Sequence, residues 1–167
     1  MKPLINLEDI TEFEEHEHNS FKGKYADIGE KIGANQLGYN LTIVPPGKKS
    51  CPFHNHHVNE EMFLILEGNG LLRFGKEEYK LMKNDIIACP NGGRSVAHQI
   101  INNSNADLKY LALSTKKIHE ICEYPDSDKI ISTNREYVLW PAFSSPKSMM
   151  GYGISIGYSL DSSPVMP

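Results

Sequence analysis

The chain has 167 residues, 40% of them hydrophobic and 23% charged, with a net charge of −4. That length and balance predict one globular domain able to bury a core of its own. They exclude a basic field for nucleic acid or an anionic membrane, so a small-molecule ligand is the expected partner.

In chain order, residues 1–24 read as an N-terminal extension. Residues 1–13 carry Glu8, Asp9 and Glu12 and no apolar run, so no secretory leader is expected. No stretch anywhere approaches the ~20 apolar residues of a membrane span, and a cytoplasmic location follows. Leu4, Leu7, Ile10 and Phe13 fall three apart, which predicts a short amphipathic turn or helix. His16 and His18 read as part of a polar turn, because nothing nearby completes a ligand set. Residues 25–120 change in texture. Strands are predicted at 38–44, 62–66, 70–74, 78–81, 85–88, 95–101 and 108–114, separated by Gly, Pro and Asn turns. No helical pattern lies between them, so the class is all-β, an antiparallel sandwich or barrel. Residues 121–167 form a C-terminal extension, with a loop at 124–129, one further strand at 136–139 and a tail from 144 rich in Ser, Gly, Pro and Met. Cys51, Cys89 and Cys122 are an odd number without a close pair and read as reduced thiols.

The chemistry concentrates in two segments. Between Gly47 and Gly68 lie His54, His56, His57, Glu60 and Glu61. Side chains two apart on a strand share a face, so His54 and His56 make a chelating pair and His57 turns away. Glu61 follows after a short link and comes back beside the pair, whereas Glu60 should be solvated. Between Asp85 and Asn102 a second strand offers His98, with Gln99 facing away from it. Three imidazoles and a carboxylate suit one divalent transition metal ion: Fe, Mn, Ni, Co, Cu or Zn. Four such ligands leave two positions of a six-coordinate ion open for water or substrate. Cys51 and Cys89 are not needed as ligands and read as core or rim residues. Three further residues are candidates for substrate contact. Arg73 sits among Leu71, Leu72 and Phe74. Facing inward it would grip a carboxylate or phosphate with two hydrogen bonds; facing outward it is a surface charge, and alternation leaves both open. Arg94 lies in the loop before His98, placed to close over a ligand, and Phe63 either lines a pocket or belongs to the core.

Both segments resemble the paired motifs of the cupin superfamily. The first motif, a Gly, a His-x-His pair, a Glu and a Gly, is matched by Gly47, His54, His56, Glu61 and Gly68. The second is matched by Asp85, Pro90, Gly92, His98 and Asn102. Asn84 stands where the family usually has Gly, and Asn can imitate it by adopting the left-handed conformation. The spacing from Gly92 to His98 exceeds the family's usual one, which implies a larger loop. The resemblance spans about residues 37–114, and the flanks look like those of small single-domain bacterial cupins. It implies a double-stranded β-helix, the jelly-roll or cupin barrel, with one metal ion on His54, His56, Glu61 and His98. Isomerases, dioxygenases, decarboxylases and lyases all occur on that fold. The expected function is therefore a metal-dependent enzyme acting on a small organic acid or sugar derivative, with a non-catalytic sugar-binding or sensor protein as the alternative. Exposed sheet edges of such barrels are usually covered, so a homodimer is expected.

Overall fold

The computed structural model describes residues 2–133. The strand expected at 136–139 and the tail from 144 lie outside them. After a 3₁₀ turn at Leu7–Asp9, the strands in chain order are β1 (Glu14–His18), β2 (Phe21–Asp27), β3 (Leu37–Val44), β4 (Asn55–His56), β5 (Glu61–Glu67) and β6 (Asn69–Phe74). Then come β7 (Glu77–Met82), β8 (Ile86–Cys89), β9 (His98–Ile101), β10 (Leu108–Thr115), β11 (Glu120–Tyr124) and β12 (Lys129–Thr133). One short helix, α1 (Gly29–Ile32), separates β2 from β3.

One antiparallel sheet has the order β1-β2-β3-β10-β5-β8. Two three-stranded strips, β12-β11-β4 and β7-β6-β9, are joined through an antiparallel bridge between His54 and His98. They form the opposite wall of a double-stranded β-helix. The core between the walls draws Val44, Phe63, Ile65, Leu108, Tyr110 and Ala112 from the first sheet and Leu72, Leu81 and Ile100 from the second. Strand alternation produces this: Glu61, Phe63 and Ile65 of β5 are buried while Met62, Leu64 and Leu66 are only half-buried. Full burial of a residue such as Ile65 stabilises the fold by about 1.5–3 kcal/mol. The outer face of the first sheet is covered by the start of the chain. Ile5, Leu7, Ile10 and Phe13 pack there with Ala26, Ile28, Leu41 and Leu66.

Most predicted strands appear within one or two residues of their expected bounds. Residues 95–101 differ: Arg94–Val96 make a 3₁₀ turn and the strand starts only at His98. This turn is the larger loop implied by the long Gly92–His98 spacing. Asn84 does take a left-handed φ of 74°, as its place in the motif required. Gly68, at φ 82°, has no room for a side chain, because a Cβ would run into the Asp107 carbonyl oxygen.

Four strands, β1, β2, β11 and β12, were not among those expected. β1 is too charged to read as a strand; it forms by pairing with β2, which sets Glu17 against Lys22 and Glu15 against Lys24. β1 and β2 thus extend the first sheet, and the N-terminal extension expected at residues 1–24 supplies β1 and the start of β2. β11 and β12 form a hairpin whose connection, the 3₁₀ turn Pro125–Ser127, falls within the loop expected at 124–129. β11 also pairs with β4, Cys122 opposite His56, and this brings its inward face to the candidate site.

Candidate metal centre

The His54–His98 bridge is closed by two backbone hydrogen bonds. His98 N–H donates to His54 O at 2.7 Å, and His54 N–H donates to His98 O at 3.1 Å. The two imidazoles are thereby set side by side, with ring centroids 4.6 Å apart. His56, two residues on, shares the face of His54, with centroids 5.0 Å apart. Glu61 opens β5, paired with Cys89 of β8 and Ser114 of β10, and projects inward.

All three imidazole Nε2 atoms converge on one carboxylate oxygen. Glu61 Oε2 lies 2.9 Å from His98, 3.5 Å from His56 and 3.7 Å from His54. His54, Glu61 and His98 are buried, and their donor atoms lie within 4.8 Å of one another, positioned to hold a metal ion. His56 falls outside that tight group but stands within reach of the same oxygen. The second ring nitrogens are occupied as well. His54 Nδ1 lies 2.9 Å from Pro52 O, and His98 Nδ1 lies 3.3 Å from Val96 O. A carbonyl oxygen only accepts, so Nδ1 carries a proton in both rings; the Glu61 carboxylate also only accepts, so Nε2 of His98 donates to it here and would give up that proton on binding an ion. The remaining nitrogen, His56 Nδ1, faces Glu120 Oε2 at 3.5 Å.

The electrostatics follow from this packing. Burial would raise the Glu61 pKa, but His56, His54 and His98 together hold it well below the usual carboxylate range. Burial would lower that of His56, but Glu61 and Glu120 raise it to about 9. Burial and the neighbouring His54 lower that of His98. The donor set of three imidazoles and one carboxylate fits a divalent transition metal, whose binding would release the protons held here.

Of the candidate substrate-contact residues, Phe63 lies beside the centre and the two arginines lie away from the ligand group. Phe63 is buried, its ring 5.8 Å from that of His98 and 5.7 Å from that of Tyr110, so it walls the centre from the core side. Arg73 faces outward, because Leu72 beside it packs in the core. It binds Asp126 through two hydrogen bonds of 2.6 and 2.9 Å and lies 3.7 Å above the Phe53 ring. Arg94 donates to Glu123 at 2.6 Å and to Asp128 at 3.0 Å. Both arginines therefore fasten the β11–β12 hairpin and stand outside the ligand group. His57 pairs with Glu123 at 3.3 Å on the far side of the strand from His56, Glu60 is exposed, and Gln99 donates away from the centre to Cys51 O. The three cysteines are free and buried.

Sequence reasoning missed β11. Glu120, Cys122 and Tyr124 alternate along it, and the Tyr124 ring stacks on His54 at 6.0 Å. The signal available was that period-two spacing, hidden because it opens on a charged residue, Glu120.

The cupin domain family model matches residues 40–114. A relative, the uncharacterised protein MJ1618 of Methanocaldococcus jannaschii, is 32% identical over 114 residues, 68% of this chain and 79% of its own. The chain belongs to the cupin superfamily. Its fold is similar to that of a protein of Acidithiobacillus ferrooxidans proposed as a sugar phosphate isomerase, with a TM-score of 0.78 at 21% identity over 99% of this chain and 98% of the other. It is also similar to a sugar phosphate isomerase of the cupin superfamily from Silicibacter pomeroyi, with a TM-score of 0.73 at 22% identity over 98% and 97%. Among the described residues no helix is long and apolar enough to cross a membrane.

Proposed function

We propose that this cupin is a metal-dependent enzyme acting on a small organic acid or sugar derivative, with one divalent transition metal ion on His54, His56, Glu61 and His98. The observation that carries the reading is the convergence of three Nε2 atoms on Glu61 Oε2, two of them with Nδ1 already anchored by a backbone carbonyl. A bound ion would supply Lewis-acid polarisation of a substrate oxygen. The chain's own part is to orient and enclose. Pro52 O and Val96 O fix the rings of His54 and His98. Phe63 and Tyr124 supply buried walls that keep bulk water from the ligands. Burial pushes the Tyr124 hydroxyl far up, so it stays protonated and serves as a hydrogen-bond donor rather than a base. Likeness to sugar phosphate isomerases supports a sugar derivative as the substrate class to test first.

The same reading makes the protein a cytoplasmic homodimer. Support comes from three buried free thiols, and from Tyr79, Met82 and Ile86 exposed on the sheet-edge strands β7 and β8. The functional test is turnover of a panel of sugar phosphates and small keto and hydroxy acids. Activity abolished by a chelator and restored by one ion is expected. Ligand binding that a chelator leaves unchanged, without turnover on the panel, would replace the enzyme reading with a binding protein.

A further inference from the structure

We infer that Glu120 is a positioning residue of the metal centre, fixing the third imidazole, His56, through its Nδ1. The inference rests on the metal reading above and goes beyond its four ligands.

The three histidines are not anchored alike. His54 and His98 each place Nδ1 against a backbone carbonyl. His56 Nδ1 is buried and has no hydrogen-bond partner of good geometry among the described residues. The group that faces it is Glu120 Oε2, 3.5 Å away on the neighbouring strand. An imidazole that binds through Nε2 needs an acceptor at Nδ1 to hold its tautomer and its ring plane, and a carboxylate there also strengthens Nε2 as a donor.

Glu120 is itself held firmly. Oε1 accepts from Val58 N at 3.1 Å and from Ile121 N at 2.8 Å, and Oε2 accepts from Asn59 N at 2.8 Å and from Asn59 Nδ2. The Asn59 amide is fixed in turn, its oxygen accepting from Thr115 Oγ1 at 2.8 Å and from Lys117 N at 2.7 Å. Val58 and Asn59 belong to the short link that joins His56 to Glu61. One carboxylate thus ties β11 to the connection between two ligand-bearing strands and presents an oxygen to the ring of one ligand. Burying a carboxylate is costly unless its oxygens are satisfied. Four backbone and amide donors satisfy this one, and its remaining neighbour is His56.

The test uses Cu²⁺ as the probe on the full chain, read by affinity and by the nitrogen couplings in the electron paramagnetic resonance spectrum. Wild type is expected to bind one Cu²⁺ with three coupled nitrogens. Glu120→Gln is expected to bind about 10–100-fold more weakly and to lose one nitrogen coupling. Asn59→Ala, which loosens the link but keeps the carboxylate, is expected to retain all three couplings. Glu120→Asp, which keeps a retracted carboxylate, is expected to shift both readouts in the same direction by less, and it serves if the Gln variant does not fold. Glu120→Gln with wild-type affinity and three couplings overturns the inference, as does Asn59→Ala matching it in both readouts. Wild type that takes up no Cu²⁺ overturns the metal reading itself, and this failure is seen before any variant is made.

Discussion

Gly75→Ala tests how the second ligand segment is held in place. Gly75 follows β6 with φ 56°, and its N–H donates to Ala97 O at 2.7 Å. A Cβ at this position would meet Ser95 O at 2.5 Å, so the oxygen must retreat by about 0.5 Å to reach the 3.0 Å below which such contacts are essentially never seen. A left-handed conformation costs an ordinary residue about 1–2 kcal/mol. Overpacking against backbone adds about 1–3 kcal/mol. The total of about 2–5 kcal/mol corresponds to a fall in Tm of about 4–20 °C for a chain of this size. The displaced segment is the 3₁₀ turn that leads into His98, and Val96 O in that turn anchors His98 Nδ1. Metal affinity measured well below the melting range should therefore fall about tenfold or more. Gly93→Ala is the control: its φ is −87°, nothing lies within 4 Å of the added Cβ, and the expected change is within about 0.5 kcal/mol. Thermal melts of both variants decide the matter. Gly75→Ala melting within about 2 °C of wild type would show that Ser95 O yields freely and that Gly75 does not hold the turn.

Asn102 is fully buried; its amide donates to Val44 O at 2.7 Å and to Ala106 O at 2.8 Å, and its oxygen accepts from Ser104 N at 3.0 Å. Asn102→Ala removes these three hydrogen bonds, with Ala106 O keeping only its bond from Ser104 Oγ, and should cost about 2–4 kcal/mol in urea denaturation, whereas a loss under about 0.5 kcal/mol would contradict that role. The hydrogen bond from Arg94 lowers the Glu123 pKa below its ordinary 4.5, against the opposing effect of burial. A carboxylate depressed in the folded state stabilises above its unfolded value, and that contribution is lost as pH falls through the folded one. The Tm difference between wild type and Arg94→Ala should therefore be larger at pH 6 than at pH 3, and an equal difference at both would show that the pair does not hold the hairpin.

The ligand segment was legible because its geometry is local. His54 and His56 share a strand face by alternation, and Glu61 returns on the next strand. Strands β3 to β10 were legible for a related reason, since apolar residues alternate along them toward one core. Arg73 was undecidable because one polar residue carries no phase. Leu72 in the core settles its outward direction, and its partner Asp126 lies 53 positions away. Glu120 was hidden for a deeper reason. A glutamate in a short run reads as solvated, and only the pairing of Cys122 with His56 turns its carboxylate inward. Propensity did not indicate β1 either, whose strand character comes from cross-strand charge pairing with β2.

Whether this centre holds an ion is decided by the metal content of the protein purified without added metal, compared with that of the His54→Ala/His98→Ala double variant. Close to one first-row transition metal ion per chain is expected in the wild type and essentially none in a folded double variant. A wild type free of metal even after incubation with the candidate ions, or a double variant that keeps a full equivalent, would contradict it.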